Sequence, residues 1–346
     1  MNKTMRIRLA WVIIPLLLSG LACNLGTPMA REALPSTATP AAPVPPSAAP
    51  PPIYTATVPF QGAMPVQLPG ERADHAGDID SSPNAHRQMV SGGDVFVHGL
   101  YERPFNAITM DTYFPYLDIV DTQGFKDGTW GYATITLQNT DPNGDLPAQY
   151  GIEVDIDRDG RGDWLILTSN PASTQWTTQG VRAWRNSNGD IGGVAVMAAD
   201  THPRGGDGYE AQVFDQGQGS LIDGAWARIS DSDPKTVELA FKLEMLGSAA
   251  SYAMGAWAGS TVDPGMFDYH DHMTHLQAGS PNPGYEVYPL KDMAEIDNTC
   301  RLAVGFAPTG KEPGLCQTVQ KQEGEGNVPC YCPQSPAGAN IPCDCP

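Results

Sequence analysis

Positive charge is scarce in this sequence. Twenty lysines and arginines stand against 39 aspartates and glutamates in 346 residues, a net charge of −19 at pH 7. Such a surface repels nucleic acid, so none is expected as a partner, and it also repels anionic lipid headgroups. Cysteine is absent from Asn24 to Thr299, which leaves the body of the chain without disulfides or a thiolate metal site. The apolar run from Leu9 to Leu18 falls short of the roughly 20 residues that span a bilayer. There is no G-x-S-x-G nucleophile elbow and no complete G-x-x-x-x-G-K-[ST] phosphate loop, since the stretch Gly305 to Lys311 is followed by Glu312, so two common routes to hydrolysis are missing. Long amphipathic helix patterns are missing too. Only Glu244 to Ala250 reads as a helical turn.

What is present begins with an export signal. Lys3, Arg6 and Arg8 precede the apolar run, and Gly20-Leu21-Ala22 leads into Cys23. This pattern is secretory. Cys23 after a small residue resembles the bacterial lipoprotein signal, in which the cysteine is lipidated. Gly20 stands where that family usually has Leu, and ordinary cleavage after Ala22 also suits the segment. The next stretch favours the lipid anchor. From Gly26 to about Pro59 the chain is rich in Pro, Ala, Ser and Thr, including Pro50-Pro51-Pro52, an extended spacer that would hold a domain off a membrane.

The most telling stretch is Asp155 to Trp164, D-I-D-R-D-G-R-G-D-W. It places Asp155, Asp157, Asp159 and Asp163 at loop positions 1, 3, 5 and 9, with Gly160 at position 6 and the Arg161 carbonyl at position 7. Hard cations take six to eight oxygens, and alternate residues of a curled loop point at one centre, so calcium is the expected cofactor. Position 12 is Ile166, where a helix-loop-helix calcium motif has Glu, and the flanks are β-rich. The loop is therefore read as a strand-loop-strand hairpin. It resembles the D-x-D-x-D-G-x-x-D loops of integrin alpha-subunit propellers and, more loosely, thrombospondin type 3 repeats. Arg161-Gly162-Asp163 spells an adhesion tripeptide, but Asp163 is already claimed as a ligand.

Between Asp94 and about Leu290, alternation recurs at Thr129–Gln138, Tyr150–Ile156, Val181–Arg185, Tyr209–Phe214, Ala225–Ile229, Thr236–Leu243 and Tyr252–Ala258. Turns rich in Gly, Asn and Asp separate these runs. The expectation is an all-β fold, an antiparallel, jelly-roll-like sandwich carrying the calcium hairpin and a disulfide-rich C-terminal tail. The segments are a signal peptide (1–22), a lipidated cysteine and spacer (23–60), an irregular lead-in (61–92), a β-sandwich (93–299) and a Cys-rich tail (300–346). In the tail, Cys300, Cys316, Cys330, Cys332, Cys343 and Cys345 are even in number and suit up to three disulfides in an exported chain. Cys300 with Cys316 would close a short loop. A four-thiolate metal site is the alternative, weakened by the C-x-C spacing.

The order Tyr116-Leu117-Asp118-Ile119, Trp130-Gly131-Tyr132, Tyr150 to Asp157, then Val237 to Phe241 running into Leu243 to Gly247, resembles DOMON and family-nine carbohydrate-binding modules over Phe114 to Gly259. The chain is also similar to calcium-loop lipoproteins of environmental bacteria. The modules' resemblance implies a β-sandwich that binds a sugar or a haem rather than a catalyst.

Sugar binding calls for exposed aromatic platforms. Trp176, set among polar residues in T-Q-W-T-T, is the first candidate, followed by Trp184 and Tyr209. Trp130, Trp164, Trp226 and Trp257 lie in apolar patterns and are read as core. A second constellation is Tyr269-His270-Asp271-His272-Met273-Thr274-His275. His270, His272 and His275 could hold a transition metal for assisted hydrolysis, or the segment could be a polar surface loop. The resulting expectation is a lipid-anchored, cell-surface binding module for glycan or another envelope ligand, more binder than enzyme. The alternatives are a metal-dependent hydrolase built on the histidine loop and a purely structural envelope component.

Overall fold

The computed structural model describes residues 62–191 and 205–316, and alternation of apolar with polar residues folds most of them into antiparallel strands. The strands are β1 (Asp74–Gly77), β2 (Glu102–Arg103), β3 (Ile119–Lys126), β4 (Trp130–Leu137), β5 (Gln149–Asp155), β6 (Trp164–Ser169) and β7 (Val181–Arg185). There follow β8 (Ala211–Asp215), β9 (Gln218–Gly219), β10 (Ala225–Ile229), β11 (Thr236–Lys242), β12 (Tyr252–Gly259), β13 (Ile296–Asn298) and β14 (Leu302–Val304). One sheet runs β1-β3-β4-β11-β10. The other runs β2-β13-β12-β5-β6-β7-β8-β9, and β14 also pairs with β12. The molecule is an all-β sandwich.

Period-two patterning explains the packing. Ala133, Ile135 and Leu137 of β4 and Val237, Leu239 and Phe241 of β11 meet Tyr150, Ile152 and Val154 of β5 and Met254, Ala256 and Ala258 of β12 in the central core. Alternate residues of the larger sheet, Leu165, Leu167, Trp257 and Ile296, pack outward against Phe96, Tyr101, Phe267 and Tyr269. Loops therefore cover that outer face. On the outer face of the smaller sheet lies an aromatic cluster of Trp130, Tyr132, Trp176 and Trp226.

The sandwich reaches beyond its expected limits at both ends. The lead-in contributes β1, which pairs with β3 along Asp74–Gly77, and β14 lies past residue 299 on β12. Both strands are held by long-range backbone bonds, which leave no local period. Cys300 and Cys316 form a disulfide, as expected. Cys23, Cys330, Cys332, Cys343 and Cys345, with the signal and spacer, lie outside the described residues. No helix among the described residues is long and apolar enough to cross a membrane.

Candidate metal centre

β5 and β6 pair with Val154 opposite Trp164, so the acidic loop closes a hairpin. Because β5 turns Ile152 and Val154 into the core, Glu153 and Asp155 emerge on the other face. Asp155 is fully buried there, while Asp157 and Asp159 are exposed. Carboxylate oxygens of these three residues lie within 4.8 Å of one another. That separation matches oxygens on opposite sides of a cation with ligand distances of about 2.4 Å.

Backbone amides shape the loop. Arg158 and Gly160 donate N–H bonds to Asp155 Oδ1 (2.6 Å) and Oδ2 (2.9 Å), and Arg161 donates to Asp159 Oδ1 (2.8 Å). Gly160 has φ +91°, which a residue with a Cβ rarely adopts. A Cβ at Gly162 would collide with the Tyr209 hydroxyl and the Glu153 carboxylate. Asp163 does not join the three within the same distance. Its Oδ2 instead accepts the Ile156 N–H at 2.7 Å, so it braces the turn. The position-9 residue of such loops often reaches the ion through water.

Behind the loop is a network that its spacing did not announce. Arg301 Nη2 donates to Glu153 Oε2 at 2.9 Å, and Nη1 lies 3.4 Å from Asp155 Oδ2. Tyr209 donates its hydroxyl proton to Glu153 Oε1 at 2.7 Å. Arg158 sits over the Phe306 ring at 4.6 Å. Burial pushes the Asp155 carboxyl up to about 6, opposed by Arg301 and the Gly160 and Arg158 amides. Burial also raises Asp163. One signal for Glu153 was available: it stands two residues before Asp155 on the same strand face. Nothing local pointed to Arg301.

The donor set is all oxygen, and a carboxylate oxygen that accepts one amide still has a lone pair for a cation. A hard divalent ion fits these three residues. A transition metal on the histidine loop is less well served. His270 is buried, its Nδ1 is 3.1 Å from the Tyr101 hydroxyl, and burial lowers its pKa. The His272 Nε2–H donates to the Phe267 carbonyl at 3.2 Å, and the His275 ring packs on Phe96 with centroids 4.4 Å apart. Among the described residues, no cluster of three metal-donor side chains contains a histidine. The segment instead forms two helical turns, Tyr269–His272 and His275–Ala278, the second opened by a Thr274–Gln277 capping box.

Two of the three expected stacking platforms are not exposed. Trp176 is 8% accessible, 6.4 Å from Tyr132 and beneath Arg228 at 4.6 Å. Backbone bonds between Thr177 and Ala227 lay its segment on the smaller sheet, so polar sequence neighbours misreported its surroundings. Tyr209 is buried as well, its hydroxyl committed to Glu153. Trp184 remains half-buried on the larger sheet. Trp130, Trp164, Trp226 and Trp257 are buried, as read.

In comparisons with protein families, curated proteins and solved structures, nothing matches this chain. Its functional reading therefore rests on its own residues.

Proposed function

We propose that this chain is an exported, calcium-stabilised β-sandwich, tethered to a membrane by lipid at Cys23, whose work is binding a glycan or another envelope ligand. The observation that supports it most is the convergence of Asp155, Asp157 and Asp159 on one point of a hairpin loop. Without a cation these charges repel, and with one they lock β5 to β6 and, through Arg301, to the loop that the Cys300–Cys316 disulfide closes. Calcium in this position serves the fold.

Trp176, being buried, is a poor ligand platform. A hollow of about 240 Å³ is lined by Trp164, Arg185, Phe214, Leu221, Glu244 and Met245, with the Arg185 guanidinium 5.9 Å from the Trp164 ring centre. It combines an aromatic wall with groups of both charges, the mix that small polar ligands use. Retention of the full-length chain on a panel of polysaccharides tests this role. Binding that is lost in Arg185→Ala supports it, and a panel on which nothing is retained removes it.

A further inference from the structure

A second group of carboxylates stands apart from the acidic loop. Asp297 on β13 lies directly opposite Glu102 on β2 in antiparallel register, and like charges in that relation destabilise a sheet. Asp78, just past β1, brings a third carboxylate, and oxygens of the three lie within 4.8 Å of one another. Asp118, just before β3, is a neighbour whose charge acts on both Glu102 and Asp297.

The cluster holds more acceptors than donors. Ser81 gives its hydroxyl proton to Glu102 Oε1 (2.7 Å) and its N–H to Asp118 Oδ2 (3.0 Å), which also takes the Tyr113 hydroxyl. Ile119 N–H donates to Asp297 Oδ2 (2.6 Å), and Ile79 N–H to Asp78 Oδ1 (2.9 Å). That leaves Asp297 Oδ1, Asp118 Oδ1 and Asp78 Oδ2 buried with no hydrogen-bond partner, and Asp297 and Asp118 have no accessible surface. Among the described residues, no arginine, lysine or histidine pairs with any of the four. The nearest candidate in sequence, Arg103, spends its guanidinium on Asp94 and on the carbonyls of Ala278 and Met293.

Buried acceptors without donors and buried anions without cations each carry a large penalty. A positive ion removes both penalties together. We propose that Asp78, Glu102 and Asp297, with Asp118 beside them, form a second site for a hard divalent cation, calcium being the class that carboxylate oxygens select. The donor set contains no nitrogen or sulfur, which argues against zinc or copper. Burial, then the neighbouring carboxylates, raise Asp297 and Glu102 well above the ordinary range, and burial raises Asp78 and Asp118 to about 7, as expected of anions lacking their counter-ion. The ion would tie β1 and the start of β3, in one sheet, to β2 and β13, in the other. The competing arrangement is protons shared between the carboxyls.

The site is independent of the acidic loop, and the experiment keeps the two apart. Bound calcium is counted on the chelator-stripped, full-length chain, on Asp157→Asn/Asp159→Asn, and on Asp297→Asn. The expected result is that the loop variant still binds calcium, and that Asp297→Asn lowers the wild-type stoichiometry by one while melting higher than wild type in chelator, since it relieves repulsion. A higher melting point with a lost ion shows that the variant is folded; Glu102→Gln replaces it if Asp297→Asn does not fold. A loop variant that binds no calcium overturns the inference and leaves the loop reading intact. An unchanged stoichiometry in Asp297→Asn and Glu102→Gln overturns it too. Calcium retained in the loop variant at the wild-type stoichiometry, and lost on Asp297→Asn, supports this site and removes the other.

Discussion

Arg301 lies against Glu153 with Nη2 and Oε2 2.9 Å apart, both side chains buried. The contact joins the residue after Cys300 to the strand that delivers Asp155 into the acidic loop, and Arg301 reaches Asp155 as well. One guanidinium thus offsets two buried carboxylates. Removing one partner of such a pair leaves an uncompensated charge, at a cost of about 3–5 kcal/mol. Arg301→Met is expected to lower the unfolding free energy by that order in chelator, and the denaturation midpoint with it. It is also expected to enlarge the rise that calcium produces, because the loop becomes more negative. A midpoint unchanged in chelator would contradict this role.

The Cys300–Cys316 bridge closes a loop with a sequence separation of 16. In the chain-entropy picture, a loop of this size contributes about 3 kcal/mol. Cys300→Ala/Cys316→Ala is expected to unfold at correspondingly lower denaturant and to loosen Arg301. Equal stability of the variant and the oxidised wild type would rule out this contribution.

Trp176 separates the structural reading from the sugar-platform one. As a buried ring among Tyr132, Trp226 and Arg228, it is expected to cost roughly 3–5 kcal/mol on Trp176→Ala. Any polysaccharide retention should survive in the folded fraction. Full stability with lost retention would restore Trp176 as a platform.

His270 gives a pH dependence of definite sign. Its folded pKa lies below 6.5, chiefly through burial, with His98 and His272 adding to the effect and Asp271 opposing it. As pH falls through 6.5 the unfolded chain takes up the proton first, so the stability that neutral His270 contributes above that pH is lost on the way down to the folded pKa. Urea midpoints measured between about pH 7.5 and about pH 5.5 should fall less for His270→Gln than for wild type. Parallel declines would contradict the assignment.

How legible all this was depends on the range of the interaction. Val181–Arg185 and Ala225–Ile229 are strands with the boundaries read from alternation, because burial on one face is written in neighbouring residues. β2 and β13 have two and three residues, too few to carry a period, and their partners are remote. The loop trio was legible because its carboxylates are close together in sequence. The Glu102–Asp297 pair was not, since only the sheet register brings those residues together. Trp176 misled because its polar neighbours in sequence are not its neighbours in space.

The central claim is that the loop from Asp155 to Asp163 holds calcium in the folded protein. An ion bound only to the folded state stabilises it by about 2.7 kcal/mol at a hundredfold excess over Kd. The direct measurement is the melting temperature with calcium minus that in chelator, for wild type and for Asp157→Asn/Asp159→Asn, whose exposed side chains should be replaceable without harm to the core. A clear rise in wild type that shrinks in the variant is the predicted result. Equal increments in both proteins, or no increment in wild type, would contradict it.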